Sequence, residues 1–153
     1  MLKKILIILL VGSLFGCGYQ PLYLKKDNKD YKDYPIEIWE LKGNKKINKS
    51  IISFLDLERK KKTGNGYKLI LDSKRKLEII SKDKKGNPSS LRLTLVVNLL
   101  LNSDEKLVKE KQFSESFSYN NSQNKFELSQ YEKNIEKNLI NEIAQKVYVF
   151  LRS

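Results

Sequence analysis

Between Leu91 and Leu101, the apolar residues Leu91, Leu93, Leu95, Val97, Leu99 and Leu101 hold every second position, with Arg92, Thr94, Asn98 and Asn102 on the other parity. Successive side chains of a strand point to opposite faces, so this run predicts a β-strand with one face in a core and the other wet. Tyr67–Ser81 before it and Leu107–Tyr119 after it are further strand segments. The connections Lys84-Lys85-Gly86-Asn87-Pro88 and Asn102-Ser103-Asp104-Glu105 are short and rich in turn residues, which makes consecutive strands antiparallel neighbours. A three-stranded meander follows. A fourth strand, Ile36-Glu37-Ile38-Trp39-Glu40-Leu41, alternates directly after Pro35, a residue that suits the start of a strand but not its middle.

Two segments switch to helical spacing. Ile47, Ile51, Ile52, Phe54 and Leu55 form the first; the basic run Arg59 to Lys62 then suits a helix C-terminus, where cations meet the negative end of the dipole, and Gly64-Asn65-Gly66 ends it. In this reading Lys60-Lys61-Lys62 is a solvated helix end. The second is longer: Tyr131, Ile135, Leu139, Ile143, Val147 and Leu151 recur every four positions, flanked by Ile140, Ala144 and Phe150. That stripe is expected to pack on the sheet. Glu132 and Glu136 are expected on the exposed face of this helix, and Glu37 and Glu40 at exposed strand positions. The prediction is an α+β domain of order β-α-β-β-β-α, with a four-stranded, largely antiparallel sheet, two helices packed on one face and a more polar opposite face.

The amino terminus has a different pattern. Met1 to Lys4 is basic, Ile5 to Val11 is continuously apolar, and Gly12 to Gly16 turns small, with Leu14 and Phe15 interposed, directly before Cys17. This is the layout of a secretory signal. The apolar run is about half of the roughly 20 residues that a spanning helix needs, which disfavours an uncleaved anchor. Leu14-Phe15-Gly16-Cys17 resembles the bacterial lipobox, with Phe15 standing where a small or aliphatic residue is usual. The lipobox assigns Cys17 as a lipidation site, acylated at its sulfur and its new amino group, and a triacylated Cys anchors stably where one chain would not. Gly18, rather than Asp, follows it, which points to the outer membrane. The chain thus divides into a signal peptide at 1–16, a lipidated tether at 17–34 and one domain at 35–153.

Composition narrows the chemistry. The 153 residues carry 30 Lys and Arg against 18 Asp and Glu, a net charge of +12, with no His and one Cys. Without His the usual general base near neutral pH and the commonest metal ligand are missing, and one Cys forms neither an internal disulfide nor a thiolate cluster. No Gly-rich phosphate loop or nucleophile elbow is present, so an enzyme is not expected, nor a cofactor beyond the lipid on Cys17. Binding remains. Lys82, Lys84, Lys85 and Arg92 surround the turn between the second and third strands, where cations could engage phosphates, with Arg capable of bidentate contacts; a solvated hairpin tip, in a chain whose Lys bias an AT-rich genome would also produce, is the plainer alternative. Nucleic acid is a poor target for a lipoprotein outside the cytoplasm.

The segment Cys17-Gly18-Tyr19-Gln20-Pro21-Leu22-Tyr23 resembles the opening of the mature lipopolysaccharide-assembly lipoproteins, the LptE family, which commonly begin Cys-Gly-Phe/Tyr-x-Pro-Leu-Tyr. Gly66-Tyr67-Lys68-Leu69 at a strand start, the basic hairpin, Ser116-Phe117-Ser118-Tyr119 and the long terminal helix follow in similar order. The resemblance implies a domain that sits as a plug in the lumen of the outer-membrane β-barrel LptD, helps assemble it, and binds lipopolysaccharide during transfer to the outer leaflet. A basic residue in the loop between the second and third strands contributes to that binding in the family, often within a Ser-Arg pair. Here the stretch is Ser89-Ser90-Leu91-Arg92, which displaces the Arg by one place and, under strict alternation, to the other face. The resemblance carries the role to Arg92, with Lys84 and Lys85 as alternates. Its expected partners are an LptD-like barrel, lipopolysaccharide and the periplasmic side of the outer membrane. An accessory or pilot lipoprotein of another outer-membrane assembly or secretion machine is the alternative.

Overall fold

A computed structural model describes residues 36–57, 66–104 and 106–153. The signal segment 1–16, Cys17 with the tether 17–34, and Lys60-Lys61-Lys62 lie outside the described residues. The elements are β1 (Ile36–Gly43), α1 (Lys45–Phe54), β2 (Tyr67–Lys82), β3 (Pro88–Ser103), β4 (Lys106–Asn120) and α2 (Lys125–Arg152). The strands form one sheet in the order β1-β2-β3-β4. β2, β3 and β4 are an antiparallel meander, and β1 runs parallel to β2. A parallel pair needs a crossover, and α1 lies within it. This is the α+β fold, with two helices on one face of a largely antiparallel sheet, that the residue pattern predicts.

The alternation along β3 is the axis of the core. Leu93, Leu95, Val97, Leu99 and Leu101 are fully buried, while Arg92 is exposed and Thr94, Val96, Asn98 and Leu100 are half-buried on the opposite face. Against the buried row pack Ile47, Ile51 and Leu55 from α1 and Ile143, Ala144 and Val147 from α2, all fully buried. Each such Val, Leu or Ile side chain stabilises the fold by about 1.5–3 kcal/mol relative to exposure.

The junction between β1 and α1 is set by hydrogen bonds to β2. Gly43 has φ +71°, and an added Cβ there would sit 2.1 Å from the Ser73 carbonyl oxygen, so the turn needs a residue without one. That carbonyl accepts from the Asn44 backbone N–H at 2.9 Å, and the Ser73 hydroxyl donates to the Asn44 carbonyl at 3.0 Å. The Asn44 side chain caps α1, accepting from the N–H groups of Lys46 and Ile47. Asn48, fully buried one turn on, donates to the carbonyls of Lys42 at 2.6 Å and Leu71 at 3.3 Å, and so ties α1 to both parallel strands.

The other end of α1 corrects the sequence expectation. The helix stops at Phe54, not at Gly64, and no basic residue occupies its last turn. Asp56 takes the left-handed conformation at φ +54°; its N–H donates to the Ser53 carbonyl and that of Leu57 to the Ile52 carbonyl, both at 3.2 Å. These are the two bonds of a Schellman cap, with Asp in the position usually held by Gly. Leu57 packs on the core beyond it.

Strand lengths also differ across the sheet. β1 pairs only with the Tyr67–Ser73 part of β2, whereas β2 and β3 continue together to Lys82 and Pro88. The β2–β3 hairpin therefore projects past β1 and α1.

Candidate functional site

The projecting hairpin is held by its turn. Asp83 anchors it: one carboxylate oxygen accepts from the backbone N–H of Lys85 at 2.8 Å and of Asn87 at 2.9 Å, and the other accepts from the Asn87 side chain at 3.2 Å. The Asp83 N–H donates to the Asn87 carbonyl at 2.8 Å, and Gly86 has φ +84°. The hydrogen bond from the Asn87 backbone is the largest influence holding the Asp83 carboxyl below its usual range, ahead of the opposing desolvation. Behind the turn Ile80 is the extra residue of a bulge, because Ile79 pairs with Leu91 and Ser81 with Ser90. The Ser81 hydroxyl bonds those of Ser89 and Ser90 at 2.6 and 2.5 Å.

Lys84 and Lys85 are exposed within this turn, and Lys82 and Arg92 are exposed on the strands that carry it. Arg92 lies on the open face between Glu78 and Ser118, with its Nε donating to the Ser118 hydroxyl at 3.2 Å. The four cations share one end of the sheet. They do not converge on one point, since Arg92 is four residues beyond Pro88, roughly 13 Å of strand. Among the described residues none of the four has an ion-pair partner; Glu78, across from Arg92, pairs with Lys76 at 2.8 Å. Elsewhere lysines are engaged, as Lys42 and Lys68 are with Glu40, where the hydrogen bond from Lys68 is the largest influence lowering the Glu40 carboxyl.

Sequence reasoning missed what lies beside these cations. Leu77, Ile79 and Ile80 are 44%, 52% and 45% exposed, and Phe117, which pairs with Leu93 on β4, is 45% exposed. Leu77 and Ile79 share the parity of Leu69 and Leu71 and so continue the apolar row of β2, but they do so past the end of the helical cover. The hairpin end is therefore two-sided: Leu77, Ile79 and Phe117 are exposed on the helix side of the sheet, Arg92 lies on the opposite face, and Lys82, Lys84 and Lys85 sit at and beside the turn.

A second cluster corrects the reading of α2. Glu136 is buried, not exposed, and accepts from Lys46 Nζ at 2.8 Å and Arg75 Nε at 2.9 Å. Glu132, one turn earlier, accepts from the Tyr119 hydroxyl at 2.7 Å and lies 3.6 Å from the Arg75 guanidinium. Arg75 has the same parity as Leu69 and Leu71, so it points towards the helices, and both carboxylates turn to meet it. Burial raises the Glu136 carboxyl, but the hydrogen bonds from Lys46 and Arg75 outweigh it and leave the group below its ordinary range. Burial, then the hydrogen bond to Glu132, raises the Tyr119 hydroxyl. Each proton or charge here has a partner, so the cluster joins α1, β2, β4 and α2 and has no free group to react.

Among the described residues no group of three metal-ligating side chains converges, and no helix is long and apolar enough to cross a membrane.

No protein-family model matches this chain, and no curated protein matches its sequence. Its fold is similar to those of solved lipoproteins. A minor lipoprotein from Acinetobacter baumannii superposes with a TM-score of 0.59 at 12% identity, over 77% of this chain and 92% of the other. Rare lipoprotein B from Shewanella oneidensis gives 0.59 at 11% identity, over 74% and 92%. A lipoprotein from Caulobacter crescentus gives 0.51 at 14% identity, over 76% and 86%.

Proposed function

We propose that this protein is a non-enzymatic lipoprotein of the LptE type. It is anchored through lipid on Cys17 at the periplasmic side of the outer membrane. There it plugs and helps assemble an LptD-like β-barrel and binds lipopolysaccharide on its way to the outer leaflet. The observation that carries this reading is the projecting hairpin end, where Lys84, Lys85 and Arg92 have no ion-pair partner among the described residues and Leu77, Ile79 and Ile80 are exposed on the same hairpin, Leu77 and Ile79 on the face opposite Arg92. A phosphorylated glycolipid offers the complement: anionic groups for the cations and acyl chains for the apolar side chains. The fold shared with three solved lipoproteins and the Cys17-Gly18-Tyr19-Gln20-Pro21-Leu22-Tyr23 opening support it. A half-polar open sheet face also suits a hydrated barrel lumen, whose wall is polar.

The test is affinity purification of the carboxy-tagged protein from detergent-extracted outer membranes, with mass spectrometry of its partners. A stoichiometric LptD-like barrel is expected. Recovery of another assembly or secretion machine, or of no barrel, overturns the plug reading. In the purified complex, Arg92→Ala is expected to reduce photo-crosslinking to lipopolysaccharide while the barrel still co-purifies.

A further inference from the structure

A cleft of about 700 Å³ separates α1 from α2 on the helical layer, away from the hairpin turn and from the open face that carries Arg92. Lys46 and Lys49 line it from α1, and Lys133 and Lys137 from α2. Lys46 and Lys49 are three residues apart and Lys133 and Lys137 four, so each pair shares a helix face. Like charges at those spacings destabilise a helix. The one carboxylate in the lining, Glu136, already accepts from Lys46 and from Arg75 beneath it, and does not offset Lys49, Lys133 and Lys137. A further observation has the same sign: α1 begins beside this cleft and has no acidic residue in its first turn, so its own sequence adds no negative charge there.

We infer that this cleft is a binding site for a phosphorylated saccharide. The lysines supply the charge for two anionic groups, one held from each helix. Between them the lining is made of neutral hydrogen-bonding side chains, Ser50, Ser53, Gln130, Asn134 and Asn141, which match the hydroxyls of a sugar better than a bare inorganic ion. No aromatic side chain is in the lining, so there is no platform on which a nucleobase would stack, and a nucleotide is disfavoured. Ile140 is its one apolar residue, and the methylene stems of the four lysines add apolar surface on which the carbon face of a sugar ring can rest.

Isothermal titration of the full chain in detergent, with glucose 1,6-bisphosphate, inorganic pyrophosphate and glucose as ligands, tests this. Saturable one-to-one binding of the sugar bisphosphate is expected, stronger than that of pyrophosphate and absent for glucose. K133Q/K137Q, at exposed helix positions, is expected to weaken it by about tenfold or more, the loss that follows from removing charge-assisted contacts, while K84Q/K85Q leaves it unchanged. No saturable binding, or equal losses in the two double variants, overturns the site. A preference for pyrophosphate over the sugar overturns the saccharide. None of these outcomes depends on whether a barrel co-purifies, so failure here and failure of the plug reading are separable.

Discussion

Gly43 and Gly86 both have positive φ, at +71° and +84°, yet their surroundings differ. A methyl group at Gly43 would meet the Ser73 carbonyl oxygen and, at 2.8 Å, a carboxylate oxygen of Asp72, whereas nothing lies within 4 Å of one at Gly86. Gly86→Ala is therefore expected to cost only the left-handed backbone term, about 1 kcal/mol. Gly43→Ala adds displacement of the strand carbonyl that anchors Asn44, and about 2–3 kcal/mol is expected. Urea midpoints of the two variants check the ordering, and equal losses would contradict it. Glu136 has a pH signature of its own. Its folded carboxyl is held below the unfolded value of about 4.3, so its stabilisation is complete above that value and is lost as pH falls through the folded one. Stability is expected to decline below about pH 4.3, with a shallower acid limb in Glu136→Gln. Asp83, lowered in the same sense, titrates in both proteins and cancels in the difference. Parallel acid limbs would remove Glu136 from the account.

At the scale of elements, periodicity located what a segment says about itself. The period of two along Leu91–Leu101 marks the β3 row that the structure buries, and the spacing from Ile135 to Leu151 marks the inward stripe of α2. Ile143→Ala, in the fully buried part of that stripe, is expected to cost about 2–5 kcal/mol. Val149→Ala, at 62% exposure on the same helix, should change stability by no more than about 0.5 kcal/mol, and a denaturant series on the pair tests the helix face directly. Two features were not legible, for different reasons. Gly64-Asn65-Gly66 reads as the end of α1 because glycine is the usual left-handed residue, but Asp56 fills that role eight positions before Gly64 and closes the cap with Leu57. Glu132 and Glu136 flank the apolar stripe of α2 and pass for solvated carboxylates until Arg75 is known to face them from β2. That pairing spans 61 residues of sequence, and no local period encodes it. The basic hairpin was legible as a charge pattern. Its apolar half was not: Leu77 and Ile79 obey the β2 alternation, and their exposure depends on how far the helices reach across the sheet, which no local period encodes.

Across the whole molecule, the basic side chains divide between two surfaces. The cleft cations lie on the helical layer and the hairpin cations at the projecting end of the sheet. A net charge of +12 would by itself draw the protein to any anionic surface, in proportion to charge and with no need of Leu77, Ile79 or Ile80. An amphipathic site behaves otherwise, because the phosphates and acyl chains of one ligand are held together and losing either half weakens the whole. Ile79→Asn/Ile80→Asn, which leaves every cation in place, is therefore expected to reduce capture of lipopolysaccharide micelles as much as Lys84→Ser/Lys85→Ser does, about tenfold in each case. Both side chains of the first pair are about half exposed, so the Asn pair is expected to lower the unfolding midpoint only modestly, and capture is compared at a temperature where both variants are folded. Binding that follows charge alone, unaffected by the Asn pair and abolished by salt, would reduce the hairpin to a solvated basic tip and leave Arg92 without a role in ligand recognition.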